Sequence, residues 1–395
     1  MNTARNNKIF YITASALRSA SLLCASGTFM QTLIGVLGLP SRLNYIHTTL
    51  LQIVNVLATV LCSKWADKGN VMKRMMLVQL PYGLLFLFYL PVCFLSDAPV
   101  GVFILLLTVG IFQTITIALS TICEYKQQYF VFDPDEYAHV MTISGIICGV
   151  VSMGFSALVS GLTSFFDYKI IMFVAFIVSA IFAIISGILY SLQKPLIDME
   201  SIQQKKDDKK IKLEQVFRHP AFYKLIVANL CRGFATGTTG VLAIVAFDIG
   251  FDQSVSTMMA PLSSVAMFTG YAMYWVISIR VPQRVQTFLG SMAFLLLPLL
   301  FIQNKMVFFV AYTVILLGRN IVDISIPTAL LKIVPAQIAG PYNAWRMILN
   351  NVGSLIATSV ASIISPALLF AVAISSQLVV GISFFRFKEL KKQSV

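Results

Sequence analysis

Residues 169–191, KIIMFVAFIVSAIFAIISGILYS, hold a single charge, Lys169 at their start. A membrane-spanning helix needs roughly 20 largely apolar residues, and this run supplies them. The stretch that follows, Leu192 to Pro220, has the opposite character and contains Lys205-Lys206-Asp207-Asp208-Lys209-Lys210. Outward from this border, five further apolar runs lie before residue 169 and six lie after the polar stretch. Spans are predicted over 11–38, 44–63, 75–95, 100–123, 138–162 and 169–191, and then over 221–247, 255–279, 286–303, 307–331, 343–364 and 366–386. The fold class is therefore an all-α membrane protein of twelve transmembrane helices. The polar stretch separates an N-terminal six-helix bundle (1–191) from a C-terminal one (221–395), with 192–220 as a cytoplasmic linker that lets the halves move.

Composition supports this. Hydrophobic residues make up 58% of the chain and charged residues 11%, whereas a soluble domain carries about a quarter charged residues. Mean hydropathy is +0.84. A soluble chain has no way to hide so much apolar surface, so the lipid bilayer must solvate it. The net charge of +13 would suit a nucleic-acid partner, but the basic residues sit in short gaps between apolar runs, which excludes that reading. Of the 29 Lys and Arg residues, three fall in the connections opposite the termini (Arg42, Lys169, Lys305) and three within spans (Arg18, Arg232, Arg319). All others fall on the side of the termini. This bias places both termini in the cytoplasm, and a multi-pass protein of the plasma membrane is expected. The first apolar run lacks a small-residue cleavage site and is too long for a signal-peptide core, so it is expected to be retained as a helix.

Catalytic and cofactor chemistry find no footing. The cysteines Cys24, Cys62, Cys93, Cys123, Cys148 and Cys231 lie in or beside apolar runs without metal-ligand spacing. They read as packing residues, with no metal and no cofactor. The histidines His47, His139 and His219 are scattered, and His47 and His139 read as interfacial residues near span ends. Glu124 with Asp133, Asp135 and Glu136 reads as a solvated acidic loop. An enzyme is not expected.

Ionisable groups inside a span are costly and mark functional positions. Arg18, Arg232, Arg319 and Asp323 are such groups. Arg18 starts a stripe of small and polar residues at helical spacing with Ser21, Ala25, Thr28, Thr32 and Gly35, all on one face. Thr48, Gln52, Asn55 and Thr59 form a stripe in the second span, Arg232, Thr236 and Thr239 in the seventh, and Arg346, Asn350 and Ser354 in the eleventh. Helix–helix packing also selects small residues and competes for the Ser, Thr, Ala and Gly positions. Arg18, Arg232, Arg319, Gln52, Asn55 and Asn350 are the substrate-binding candidates. Arg319 and Asp323, four apart, share a face. Either they neutralise each other, or Arg319 faces an anion while Asp323 carries a coupling proton. The halves also match weakly: Trp65 and Trp275 each precede an arginine by nine residues, Arg74 and Arg284, after the second span of their half.

The loop Ala66-Asp67-Lys68-Gly69 followed by Lys73-Arg74 resembles the signature G-x-x-x-D-R-x-G-R-R between helices two and three of the major facilitator superfamily. Ser63 stands in place of the first glycine, and the basic pair comes late. Gly145, Gly149, Gly154 and Gly161 resemble the glycine-rich fifth helix of many members. This resemblance implies alternating access by two rocking bundles, with helices one, four, seven and ten lining a central cavity. Arg18 and Arg232 resemble in position the phosphate-holding arginine pair of organophosphate antiporters. Asp67, Arg74 and Arg346 are the expected gating residues, Pro341 suiting the first turn of the facing helix. The expected function is secondary active transport of a small polar solute, anionic where the arginines face it, by a monomer with a proton as candidate coupling ion. The alternatives are an exporter of amphiphilic compounds and, from another class, a membrane enzyme or solute sensor.

Overall fold

A computed structural model describes residues 2–25, 27–62, 70–95, 99–132, 134–196, 222–277, 280–333 and 336–386. Among them the chain is helical, without strands. Hydrocarbon offers the backbone no hydrogen bonds, and a helix satisfies its own. The elements are α1 (Asn2–Ala25), α2 (Thr28–Val36), α3 (Ser41–Cys62), α4 (Val71–Leu87), α5 (Pro99–Val131), α6 (Pro134–Leu162) and α7 (Tyr168–Ser191). They are followed by α8 (Phe222–Gly240), α9 (Leu242–Asp248), α10 (Gln253–Ile277), α11 (Gln283–Met292), α12 (Lys305–Ile333), α13 (Ala336–Ala361) and α14 (Pro366–Phe385). Short 3₁₀ segments, Leu90–Cys93 and Ala293–Phe301, extend α4 and α11.

Each of the twelve predicted spans finds a helical counterpart, and four are interrupted. The first splits into α1 and α2 around Gly27, whose φ of 94° suits a residue without a Cβ. The seventh bends by 50° between α8 and α9. The third and ninth tighten into 3₁₀ turns ahead of or around Pro91 and Pro298. Nine helices of the described residues are long and apolar enough to cross a membrane, or ten with the bent pair. The eighth and eleventh spans, α10 and α13, are interrupted by polar residues such as Ser256, Thr257, Asn350 and Asn351.

The chain divides into two compact units. Unit 1 holds Met1–Lys206 with Ala246–Ser264, and unit 2 holds Asp207–Val245 with Val265–Val395. In unit 1, α4 packs on α7 and α5, and α1 on α6 and α7. Phe29, Phe86, Tyr89, Phe176 and Met172 form its core, and Tyr89 stacks on Phe176 at 5.2 Å between centroids. Residues 246–264 join it through Tyr45 Oη to Asp248 (2.8 Å), Ser160 Oγ to the Thr257 carbonyl (2.7 Å) and Thr32 with Ser256 (2.5 Å).

In unit 2, α8 lies against α13 and α14, and α11 against α12 and α14. The α8–α13 approach is close enough to exclude side chains. A Cβ on Gly233 would stand 2.0 Å from the Asn350 carbonyl oxygen, and one on Gly353 would stand 2.1 Å from that of Leu230. Small residues let helix backbones meet in this way where lipid supplies no hydrophobic drive. Gly233 and Gly237, which follow Arg232, are thus packing residues.

Two sequence readings of local position need correction. Hydropathy ended the fourth span at residue 123, but α5 continues to Val131, so Glu124 and Lys126 are helical and Glu124 does not belong to a solvated loop. His47 is not interfacial: it is 3% exposed, packed against Gly110 of α5.

Candidate functional site

The charged residues of unit 2 meet in one place. Arg232 projects from α8 and its Nε donates to Asp323 Oδ1 of α12 at 2.5 Å. Arg319, one turn before Asp323 on the same helix, donates its Nε to Oδ2 at 3.4 Å and its Nη1 to Thr239 Oγ1 at 2.8 Å. Both possibilities raised by the four-residue spacing are thereby refined. Arg319 and Asp323 do pair, but Asp323 sits closer to Arg232. Two guanidinium groups share one carboxylate, so the cluster carries one positive charge in excess.

These groups line a narrow cleft together with Thr236, Gln377, Ala235, Phe294 and Val322. Side-chain exposures of 14%, 28% and 23% for Arg232, Arg319 and Asp323 show that it is open to solvent yet largely desolvated. Pockets that enclose a whole small molecule span roughly 300–1,000 Å³, and this cleft is far smaller. Gln377 is 2% exposed, and its Nε2 reaches the Cys231 carbonyl at 3.5 Å. Its Oε1 has no hydrogen-bond partner among the described residues. A buried acceptor without a donor costs about 1–3 kcal/mol, and a donor on a bound solute would relieve it.

Arg18 lies in unit 1 and is engaged differently. Its Nη1 pairs with Glu124 Oε2 of α5, and its Nη2 donates to Ser120 Oγ (2.7 Å) and Thr121 Oγ1 (2.9 Å). Tyr11 and Tyr190 each donate to Glu124 Oε1 at 3.0 Å. Here one cation meets one anion, and the charges cancel. The arginine in the first span of each half therefore pairs with a carboxylate in the fourth span of the same half: Arg18 with Glu124, Arg232 with Asp323.

The other candidates are dispersed. Gln52 and Asn55 are half-buried on α3 and belong to neither cluster. Asn350 on α13 is half-buried, and its Oδ1 has no partner among the described residues. Arg346 is half-buried within α13, which begins before it, so it does not sit in a connection. Arg74 stands in the first turn of α4, which Asn70 caps by accepting from the backbone N–H of Met72 and Lys73. Asp67 lies outside the described residues. Glu124, Tyr11, Tyr190 and Gln377 escaped the sequence reading. The spacing Tyr11–Ser15–Arg18 against Ser120–Glu124–Gln128 would have revealed the first two, had the fourth helix been carried one turn further.

The family model described as Major Facilitator Superfamily matches residues 129–358. The chain belongs to the major facilitator superfamily. A D-xylose–proton symporter matches at TM-score 0.74 with 10% identity, covering 100% of both chains. A bacterial homologue of the iron transporter ferroportin, inward-facing, matches at 0.70 with 13% identity, covering 96% of this chain and 98% of the other. A peptide transporter solved with sulfate matches at 0.66 with 13% identity over 95% and 93%. At these identities the likeness shows the fold: two six-helix bundles of a membrane transporter. No curated protein matches the chain.

Proposed function

We propose that this superfamily member is a secondary active transporter that moves a small polar, anionic solute across the membrane by alternating access. The observation that carries this is the surplus charge at Asp323. Two guanidiniums facing one carboxylate in a desolvated cleft attract an anion, and each presents a fork of donors suited to carboxylate or phosphate. Gln377 Oε1 beside them accepts a donor, which favours a solute with a hydroxyl or ammonium next to its anionic group. Arg232 and Arg319 are then the principal binding residues. Asn350 on the neighbouring α13 is a further candidate for solute contact, and Gln52 and Asn55 are candidates on α3. Asp67, Arg74 and Arg346 serve as gating residues between residues 1–191 and 221–395, which move as halves about the linker 192–220. The basic-residue bias supports cytoplasmic termini in the plasma membrane. An exporter of amphiphilic compounds would be served by an aromatic, cation-free cavity, whereas this cleft has one aromatic, Phe294, and two arginines.

A ligand-stabilisation screen of the purified protein with organic anions, neutral sugars and hydrophobic cations tests this reading. Anions that carry a hydroxyl or amine should raise the melting temperature, and Arg319→Ala should abolish that rise. Stabilisation by hydrophobic cations alone would overturn it.

A further inference from the structure

Gln377 of α14 lines the cleft beside Arg232, Arg319 and Asp323 but makes none of their ion-pair contacts. It is buried, and its Nε2 reaches the carbonyl of Cys231 in α8 at 3.5 Å, one residue before Arg232. That contact fixes which way round the amide lies. Turned over, the group would set Oε1 against the Cys231 carbonyl oxygen, two acceptors with no proton between them. The nitrogen therefore faces Cys231 and the oxygen is left over, with no hydrogen-bond partner among the described residues. Neighbouring donors are committed elsewhere: Arg232 Nε to Asp323 Oδ1, Arg319 Nε to Asp323 Oδ2, and Arg319 Nη1 to Thr239 Oγ1.

We propose that Gln377 is a specificity-determining residue and that the solute is a short 2-hydroxy monocarboxylate. Its carboxylate faces Arg232 and Arg319, and its hydroxyl donates to Gln377 Oε1. This inference rests on the anion reading above and narrows it. That reading leaves a hydroxyl and an ammonium open as the donor, and charge decides between them. Arg232, Arg319 and Asp323 together carry one positive charge. A hydroxy acid brings one negative charge and leaves the cleft neutral. An amino acid brings a cation as well, which meets two guanidiniums while both oxygens of Asp323 are already engaged by the arginines. Like charges repel more strongly in a desolvated site than in water, whereas a hydroxyl supplies a donor without a charge. The narrowness of the cleft favours the shortest members of the class, and its apolar lining of Phe294, Ala235 and Val322 suits a hydrogen or a methyl on the carbon that bears the hydroxyl.

Selection then comes from the amide oxygen. Acetate offers the same carboxylate as glycolate but leaves Oε1 as it is in the empty protein, buried and without a donor. Glycolate relieves it. A site built to hydrogen-bond a hydroxyl discriminates against the analogue that lacks it far better than an apolar pocket discriminates against one carbon.

Thermal unfolding of the full-length purified protein, titrated with glycolate, acetate and glycine at matched pH and ionic strength, compares their affinities. Glycolate should bind about tenfold or more tightly than acetate, and glycine should bind most weakly. Gln377→Met keeps the bulk of the side chain and removes the acceptor. In that variant the preference for glycolate over acetate should disappear while acetate binds as in the wild type. Without solute the variant should melt no lower than the wild type, because a buried polar atom without a partner has gone. A purely structural Gln377 would instead weaken both acids alike and leave their ratio unchanged, which overturns the inference. Wild-type protein that binds acetate or glycine as tightly as glycolate also overturns it, and this comparison decides the matter should Gln377→Met fail to fold. The two readings fail separately. Equal stabilisation by acetate and glycolate removes the role of Gln377 and leaves the anion site standing, whereas no stabilisation by glycolate, acetate or sulfate removes the anion site and this inference with it.

Discussion

Replacing Asp323 with asparagine keeps the shape of the cleft and removes the one negative charge that two arginines share. Breaking a buried ion pair by deleting one partner costs about 3–5 kcal/mol, most of it from the charge left behind. Here the side chains retain 14–28% of their exposure, so water screens part of that cost, and about 2–3 kcal/mol is the better figure. The loss should be recoverable. An anion at one hundred times its dissociation constant stabilises by about 2.7 kcal/mol, which matches the deficit. The assay is thermal unfolding of purified wild type and Asp323→Asn, titrated with sulfate against chloride at matched ionic strength. The variant should melt lower in chloride and recover most of the difference in sulfate. Wild type should gain less, because Asp323 already occupies the guanidiniums. A variant that melts with wild type in chloride, or equal sulfate shifts in both proteins, would refute the view of this cleft as an anion site.

Four further outcomes follow from the contacts of these helices. Arg232→Lys keeps the charge but loses the fork, and losing one charged hydrogen bond of about 1.5–3 kcal/mol should weaken binding of the stabilising anion roughly tenfold or more. Arg18→Lys, whose native partners are Glu124, Ser120 and Thr121, should lower the melting temperature with little change in that affinity, and equal affinity losses in both would contradict the division of roles. Gly233→Ala places a methyl on the Asn350 carbonyl and should cost at least about 3 kcal/mol, the upper end for overpacking. Gly154→Ala, with nothing within 4 Å of the new methyl, should be neutral or stabilise by about 0.5–1 kcal/mol through helix propensity.

The fold was legible because the bilayer imposes it: twelve apolar runs and a one-sided charge distribution leave few other architectures. The site was legible only in part. Arg18, Arg232, Arg319 and Asp323 stood out because a charge in a span must have a reason. Their grouping did not, since it depends on which helix faces which, and hydropathy is silent on that. Arg18 and Arg232 looked equivalent in the sequence, but their equivalence extends to partners from another helix and then ends at Arg319. Glu124 was hidden by a boundary drawn where hydropathy fell, although the helix continued because the buried residues Cys123, Gln127, Gln128 and Val131 still had a core to face. Of the gating candidates, Arg74 and Arg346 lie within helices, and Asp67 lies outside the described residues.

Arg319 makes the two ion-pair clusters unequal, and the inequality has a measurable consequence. Arg18–Glu124 pairs one cation with one anion, whereas Arg232, Asp323 and Arg319 together carry one positive charge. If that surplus is what draws an anion, its removal and its restoration should both be visible. Arg319→Ala leaves Arg232 and Asp323 as a neutral pair and should lose the anion-dependent rise in melting temperature. Adding Asp323→Asn to Arg319→Ala takes away the remaining carboxylate and restores one positive charge on Arg232, whose fork of donors suits a carboxylate or sulfate. The double variant should therefore regain part of the rise that the single variant lost. Thermal unfolding of both variants in sulfate against chloride at matched ionic strength reads the difference. A double variant that responds to sulfate no better than Arg319→Ala would show that the surplus charge does not govern binding, and the anion reading of the cleft would have to be abandoned.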